Sequence, residues 1–181
     1  MARPRTFSEK DTLKRILDAF WHGGYAGTSL ADIMAATGLQ KGSLYAAFGD
    51  KPALYRAALD LYDTAEVEDS VELLKSRSGL EAIQALLAGP AEAVRSGDRR
   101  GCFLCNALQD PGLEDAVTLA RRDAMLRRFR GAIAAAIQRG GAASARIPDA
   151  DAILALYAGL RTLARAGYSA NRLDQIAKAA V

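Results

Sequence analysis

Hydrophobic residues recur at helical spacing along almost the whole chain. Near its start, Leu13, Ile16, Leu17 and Phe20 form one apolar stripe at intervals of one to three residues that all fall on one helical face. Ala and Leu are abundant, whereas alternating runs of β-branched residues are absent from the sequence. Gly and Pro fall mostly between the periodic segments, where they separate one helix from the next. This pattern predicts an all-α fold.

Polar residues that cap helices mark several of the predicted starts. Ser8 with Asp11 and Ser29 with Asp32 have the spacing of a capping box, and Asp50 can cap the helix that follows it. The predicted helices cover about residues 8–23, 29–38, 40–48, 50–75, 80–94, 103–109, 113–139, 149–166 and 169–180. A small N-terminal unit, residues 1–50, is therefore predicted to join a larger unit, residues 51–181, through the continuous helix over 50–75.

Two of these helices carry further expectations. Gly89-Pro90 should interrupt and kink the helix over 80–94. The helix over 113–139 has apolar side chains on two opposite sides, which predicts a central position between neighbouring helices. One side carries Leu119, Leu126, Phe129, Ile133 and Ile137, and the other carries Leu113, Val117, Ala120 and Ala124.

Residues 25–51 have the pattern of a helix-turn-helix. Two short helices are separated by Thr37-Gly38-Leu39, in which Gly38 suits the positive φ of a tight turn and Leu39 fills the space between the helices. The second helix can then enter a DNA major groove with its N-terminal end. The segment therefore predicts a DNA-binding head.

The start of that second helix is rich in groups that bind DNA. Gln40 and Lys41 can donate hydrogen bonds to base edges or phosphates, and Gly42 permits close approach of the backbone. Ser43 and Tyr45 add hydroxyl groups. The preceding helix N-terminus and a Lys at the head of the following helix can hold further phosphates. The predicted DNA contacts are Thr28, Ser29, Gln40, Lys41, Gly42, Ser43, Tyr45 and Lys51.

With these residues the segment resembles the DNA-binding head of the tetracycline-repressor (TetR) family of bacterial transcription regulators. The matching residues are Gly24-Tyr25, Thr28-Ser29, Ile33, Gly38, Lys41-Gly42-Ser43-Leu44-Tyr45, Phe48 and Lys51. Weaker similarity extends through residues 100–107 and 157–177. Ala46-Ala47 departs from the family pattern, in which many members have Tyr, His or Asn, so the operator sequence is not predictable.

The resemblance implies both an architecture and a function. The architecture is a three-helix helix-turn-helix head joined by a long helix to a larger helical domain for ligand binding and dimerisation. The function is that of a ligand-responsive regulator, a repressor that binds a palindromic operator in double-stranded DNA as a homodimer and is released by a small-molecule effector.

The charge of the chain is compatible with DNA binding but does not require it. The net charge is +3, and residues 1–55 contain seven basic and five acidic side chains. Two packed helices with no DNA partner would fit a generic helix-turn-helix pattern. The family-specific spacing of the motif therefore carries the prediction.

A second copy of the chain is needed because one head contacts only half of an operator. The last two predicted helices carry apolar stripes, and small residues beside them would let another helix approach closely. This predicts a four-helix bundle across a two-fold axis, although the same stripes could belong to the core. The predicted interface residues are Ala155, Leu156, Gly159, Leu160, Leu163, Leu173, Ile176 and Ala180.

The family resemblance also implies a ligand pocket in the larger unit. Its candidate lining residues are Tyr62, Leu86, Phe103, Asn106, Gln109, Phe129 and Tyr157. Asn106 and Gln109 are the stronger candidates, because polar side chains that face a core need partners, whereas aromatic and Leu residues at helical spacing are usually core. We expect a small, largely apolar effector.

Cys102 and Cys105 form a C-x-x-C pair with two interpretations. As reactive thiols near a helix N-terminus, they would make the protein a redox-sensing regulator or a thiol oxidoreductase. As small buried side chains, they would only pack. We favour packing, because the spacing alone is weak evidence and no thioredoxin-like βαβ pattern surrounds the pair.

Other chemistry is not indicated. The one His, His22, cannot form a His-based metal cluster, and a zinc site at the two Cys residues would need two more ligands. We therefore expect no metal, no cofactor and no enzymatic activity. No run of about 18 apolar residues and no signal peptide is recognised, so we expect a cytoplasmic protein without a membrane partner.

Overall fold

The computed structural model describes residues 7–110 and 115–181, and every regular element in this part of the chain is helical. The helices are α1 (Glu9–Gly27), α2 (Leu30–Thr37), α3 (Lys41–Phe48), α4 (Lys51–Tyr62), α5 (Glu68–Lys75), α6 (Gly79–Arg95), α7 (Phe103–Gln109), α8 (Ala116–Arg139), α9 (Ala150–Arg165) and α10 (Ala170–Ala180). The predicted all-α fold is confirmed. Leu113 and the predicted start of its helix lie outside the described residues.

Ser8 and Ser29 cap their helices as predicted, but the full capping box forms only at Ser29. The Ser8 hydroxyl accepts a hydrogen bond from the Asp11 N–H at 3.3 Å. At the start of α2 the bonds are reciprocal, since the Ser29 hydroxyl accepts from the Asp32 N–H at 3.1 Å and the Ser29 N–H donates to the Asp32 carboxylate at 2.8 Å. Each cap satisfies amide groups that have no partner within the helix.

The connection from the head to the larger domain is continuously helical, as predicted. It also contains a π-helical turn, which the sequence pattern did not predict. Between α4 and α5, residues Asp63–Val67 form a π-helical turn. The backbone stays right-handed helical on both sides of it, with φ −61° and ψ −44° at Asp63 and φ −61° and ψ −45° at Glu68. A π-turn inserts one extra residue into a helix, and such turns often lie beside functional sites.

α6 and α8 correct two expectations. α6 continues through Gly89-Pro90 as one helix, without the predicted interruption. α8 buries one face only, which includes Met125, Phe129 and Ile133. Val117, on the opposite side, is 52% exposed, and Ala120 and Ala124 are also exposed. Ala stabilises an exposed helix as well as a buried one, so its spacing did not indicate burial.

Candidate nucleic-acid interface

The turn between α2 and α3 has the geometry that its sequence predicts. Gly38 is left-handed, with φ 73° and ψ 8°, and its N–H donates to the Met34 carbonyl at 2.8 Å. Thr37 closes the end of α2 by donating to the Ile33 carbonyl at 2.7 Å. Leu39 is partly buried against the core. Because glycine adopts this φ without strain, α3 can begin directly after the turn.

The N-terminal turn of α3 presents its polar groups to solvent. Gln40, Lys41, Gly42 and Ser43 are exposed in succession, whereas Leu44 is completely buried. Within the described residues, the Gln40 side chain makes no capping hydrogen bond to the helix. The buried Leu44 fixes the rotation of α3, so that its first turn points outward with backbone and side-chain donors available.

Two lysines of the predicted contact set lie over aromatic rings. The Lys41 Nζ is 5.4 Å from the centre of the Tyr45 ring, and the Lys51 Nζ is 4.4 Å from the centre of the Tyr25 ring. A cation–π contact holds an ammonium group near a ring while leaving its N–H donors partly free. The rings therefore restrict both ammonium groups while leaving N–H donors that a phosphate could accept from.

Thr28 does not fit its predicted role as a DNA contact. Its side chain is only 3% exposed, and its hydroxyl donates to the Gly24 carbonyl at 2.7 Å. The neighbouring Ser29 is exposed but takes part in the capping box of α2. Thr28 thus closes the end of α1, because a buried hydroxyl needs a partner inside the protein.

An aromatic cluster joins the head to the larger domain. Tyr55 of α4 packs edge-on against Phe20 of α1, with ring centres 5.1 Å apart, and against Phe103 of α7 at 5.8 Å. Phe103 also contacts Tyr62 at 5.6 Å, and Tyr62 contacts Trp21 at 5.0 Å. Phe103, predicted as a ligand contact, instead lies at the centre of this packing. Edge-to-face aromatic pairs stabilise such contacts beyond the area they bury.

α1 is broken at Gly24, where φ is 69° and ψ is 178°. In a regular helix the Trp21 carbonyl would accept from the Tyr25 N–H. Here that N–H donates to the Asp110 carboxylate at the end of α7, and the Trp21 carbonyl accepts from Arg165 at the end of α9 at 3.2 Å. Two side chains of the larger domain therefore replace the missing helical hydrogen bond. The sequence indicated a helix end at Gly23-Gly24 but not these partners.

The predicted pocket residues do not come together around one cavity. Tyr62, Phe129 and Tyr157 line an enclosed space with Cys102, but its volume is only about 10 Å³. Leu86 is 4% exposed in the packed core. Asn106 donates to the Arg100 carbonyl at 3.1 Å, Gln109 is exposed, and both line a different, surface cleft beside Gly24. Backbone carbonyls thus supply hydrogen-bond partners for these two amides, and their role as ligand contacts stays a prediction.

The two thiols are packed into the same interior. Cys102 and Cys105 are free and buried, and the Tyr62 hydroxyl donates to the Cys102 Sγ at 3.3 Å. The Cys105 N–H also donates to the Cys102 Sγ at 3.4 Å, and the interaction with Cys102 together with burial raises the pKa of the Cys105 thiol. Burial raises the pKa of Tyr157 to about 12, so its phenol stays protonated and accepts from the Arg161 Nε at 3.0 Å. Burial in hydrogen-bonded packing agrees with the packing interpretation of the pair.

The predicted dimer residues divide into two groups. Leu160 and Leu173 are each 1% exposed within the single chain, so they belong to its own core and cannot form an interface. The remaining residues are exposed or partly exposed along α9 and α10: Ala155, Leu156, Gly159, Leu163, Ile176 and Ala180. A Cβ built on Gly159 would meet nothing within 4 Å, so this face of α9 is open.

Comparison with known proteins gives consistent relatives. The family model of bacterial regulatory proteins of the tetR family matches residues 13–58. The HTH-type transcriptional repressor ComR of Escherichia coli (strain K12) is 32% identical over 188 residues, which cover 97% of this chain and 88% of ComR. Among solved structures, a cysteine mutant of the TetR family transcriptional regulator CifR complexed with 26-bp double-strand operator DNA has a TM-score of 0.76 at 30% identity, covering 98% of this chain and 97% of that one. A TetR transcriptional regulator from Chloroflexus aurantiacus has a TM-score of 0.74 at 28% identity, covering 94% and 92%.

A helix-turn-helix head with an outward-facing second helix, joined to a larger helical domain, is an architecture used by DNA-binding transcription regulators. The chain belongs to the TetR family of these regulators, as its similarity to ComR over nearly its full length shows. The predicted family and DNA-binding class are confirmed. These relatives are regulators rather than enzymes, so the comparisons do not favour an oxidoreductase. Within residues 7–110 and 115–181, no helix combines the length and apolar character needed to cross a membrane.

Proposed function

We propose that the protein is a repressor that binds a two-fold symmetric operator as a homodimer and leaves it when a small effector binds. The observation that carries this proposal is the exposed first turn of α3, held outward by the buried Leu44. The chain is also similar to a regulator whose structure was solved on operator DNA, which supports DNA binding through this head. We assign DNA binding to residues 1–50 and effector binding and dimerisation to residues 51–181.

The proposed DNA contacts follow from position on the head. Gln40, Lys41 and Ser43 lie on the exposed turn and would contact base edges or the nearest phosphates, where Gly42 allows close approach. Tyr45 and Lys51 would bind phosphates from the sides of the turn, and the exposed Ser29 would do so at the start of α2. Thr28 supports the head from inside and has no place in this set.

The proposed dimer uses the open face of α9 and α10. Ala155 and Gly159 leave space for the close approach of a second helix, and Leu156, Leu163 and Ile176 remain partly exposed beside them. A dimer holds two heads at one spacing, which is the property that a palindromic operator selects.

The effector of such a regulator acts by preferring the conformation that does not bind DNA. The enclosed space beside Tyr62, Phe129 and Tyr157, at about 10 Å³, has room for at most one water molecule. An effector bound there would have to displace packed side chains. An effector on an open cleft would avoid that cost.

The test begins with selection of bound sequences from random duplexes, followed by fluorescence anisotropy of the selected operator at several salt concentrations. Lys41→Ala should weaken operator binding by about 1–3 kcal/mol if Lys41 contacts a base, and should reduce the salt slope by about 1 if it contacts a phosphate. Tyr45→Phe should weaken binding through loss of one phosphate contact. Lys178→Ala, an exposed Lys on α10, is the matched control and should bind as wild type. Wild-type affinity in both Lys41→Ala and Tyr45→Phe would show that α3 is not the DNA-binding helix.

A further inference from the structure

A basic cleft lies beside the break in α1, outside the packed interior. Its volume of about 650 Å³ is within the range of small-molecule sites. The head contributes one wall through α1. The other walls come from the α6–α7 connection and from the end of α9. The charged and titratable residues that line this basic cleft are Asp18, His22, Asp98, Arg99, Arg100 and Arg165.

Both carboxylates of the basic cleft are engaged by a single arginine. Arg100 donates to Asp18 at 2.5 Å and to Asp98 at 2.8 Å. The hydrogen bond with Arg100 lowers the pKa of Asp98, so this carboxylate is ionised at neutral pH. Both acids are therefore paired with Arg100 and neither pairs with the other two arginines, while the two Asp and three Arg side chains of the cleft leave it a net positive charge.

Arg99 and Arg165 bind only backbone carbonyls in the described parts of the chain. Arg99 donates to the Tyr168 carbonyl at 3.0 Å, and Arg165 donates to the carbonyls of His22 at 3.0 Å and Trp21 at 3.2 Å. No carboxylate of residues 7–110 or 115–181 forms an ion pair with either guanidinium. Both side chains are exposed, so their positive charge faces the solvent of the cleft.

We propose that this basic cleft binds a small oxyanion, a carboxylate or a phosphate, and that this anion is the effector that weakens operator binding. The inference rests on the proposed function and adds to it the place and the chemical class of the effector, an anion rather than the largely apolar molecule expected from the sequence. A guanidinium donates two parallel hydrogen bonds to a carboxylate or phosphate, and such charge-assisted bonds are about twice as strong as bonds between neutral groups. An anion therefore competes with the carbonyls for Arg165.

Anion binding is coupled to DNA binding through the contacts of Arg165 with α1. Its bonds to the Trp21 and His22 carbonyls stand in for helical bonds that the break at Gly24 removes. When the anion draws Arg165 away, these carbonyls lose their partner and the end of α1 is freed from α9. The head can then change its angle to the larger domain, so two heads in a dimer no longer match one operator. By linkage, operator binding weakens anion binding by the same factor.

The protein contains a built-in probe of this cleft. Trp21 is its only tryptophan, and the Arg100 guanidinium lies 3.9 Å from the centre of its ring. Selectively excited tryptophan fluorescence therefore reports on Trp21 alone, which contacts Arg100 of the cleft on one side and the aromatic cluster on the other. The probes are inorganic phosphate, acetate and citrate, each titrated at constant ionic strength held with sodium chloride. Operator affinity is measured by anisotropy on the same samples.

Three variants make the test specific. Arg165→Gln and Arg99→Gln each remove one unpaired guanidinium, and Arg99→Gln does so without touching α1. Arg127→Gln removes the same charge from an exposed site on α8 and is the matched control. We expect one of the anions to give a saturable fluorescence change in wild type and in Arg127→Gln, with at least tenfold weaker binding in Arg165→Gln and Arg99→Gln. The same anion should release the operator from wild type.

Each contrary result identifies what fails. If no probe gives a saturable change, or if all variants bind equally, the cleft is not an anion site and the inference is overturned while the proposed function stands. If an anion binds in the cleft but leaves operator affinity unchanged, the assigned coupling through Arg165 is wrong. If wild type shows no sequence-specific DNA binding, the proposed function fails, and the fluorescence titration still decides whether the anion site exists.

Discussion

Replacing Gly24 with alanine tests the junction between the head and the larger domain. Gly24 has φ 69° and ψ 178°, a conformation that is essentially restricted to glycine and costs another residue about 1–3 kcal/mol. A Cβ at this position would also lie 2.6 Å from the Asp110 Oδ2. That contact pushes Asp110 away from the Tyr25 N–H, a charge-assisted hydrogen bond of about 1.5–3 kcal/mol. Because the two effects overlap, we expect Gly24→Ala to lower the free energy of unfolding by about 2–4 kcal/mol.

The same helix supplies the control for this substitution. Gly27 has an ordinary φ, and a Cβ there would meet nothing within 4 Å. Gly27→Ala should therefore leave stability unchanged or raise it by up to about 1 kcal/mol, since alanine favours the helix. Urea unfolding followed by circular dichroism measures both variants. Equal midpoints for Gly24→Ala and Gly27→Ala would refute the reasoning.

Making Gly24→Ala in the Asp110→Ala variant separates the cost of backbone strain from the cost of the lost Asp110–Tyr25 hydrogen bond. In Asp110→Ala the atom that the new Cβ would meet is gone, so Gly24→Ala should then cost only the backbone strain of about 1–3 kcal/mol. The double-mutant cycle should accordingly show non-additivity between Gly24 and Asp110. Strict additivity would mean that the two residues do not interact and that Asp110 does not hold the break in α1.

Two further predictions concern the dimer and the cap of α2. Gly159→Arg should convert the dimer to monomers in sedimentation velocity. Gly131→Arg makes the same change at an exposed glycine of α8 with open space around it, and it should remain a dimer. An unchanged mass for Gly159→Arg would place the interface elsewhere. The side-chain hydrogen bond from Ser29 lowers the pKa of Asp32 in the folded state, so this group contributes stability above its ordinary pKa near 4 that is lost as pH falls through the lowered value. We measure the free energy of unfolding in urea at pH 7 and pH 3, and expect it to fall less on acidification for Asp32→Asn than for wild type. Equal decreases would show that the Asp32 capping box does not contribute to the pH dependence of stability.

The sequence by itself determined the local structure of the head. Ser29 and Asp32 form the predicted capping box, and Gly38 adopts the predicted left-handed turn. These features depend on hydrogen bonds and backbone angles within four residues, so nearby residue types are sufficient to specify them. The same local motif, through its spacing, identified the family and the DNA-binding class.

Only the tertiary structure decided how helical faces are partnered. Periodicity shows that a face is apolar but not what covers it. Leu160 packs within its own chain while Gly159, its neighbour, remains open, and α8 exposes Val117 on a side that the pattern predicted to be buried. Alanine and small residues suit exposed and buried helix surfaces alike, so their spacing is a weak guide to burial.

The junction at Gly24 shows the same limit most clearly. Gly23-Gly24 indicated that a helix ends there, because glycine is the residue that permits the required backbone angle. The groups that satisfy the broken helix come from Asp110 and Arg165, which are 85 and 144 residues away from their partners in the sequence. Unpaired backbone groups must find partners, but their identity depends on which side chains the packing of α7 and α9 brings to the break. No local pattern contains that information, and only the folded chain supplies it.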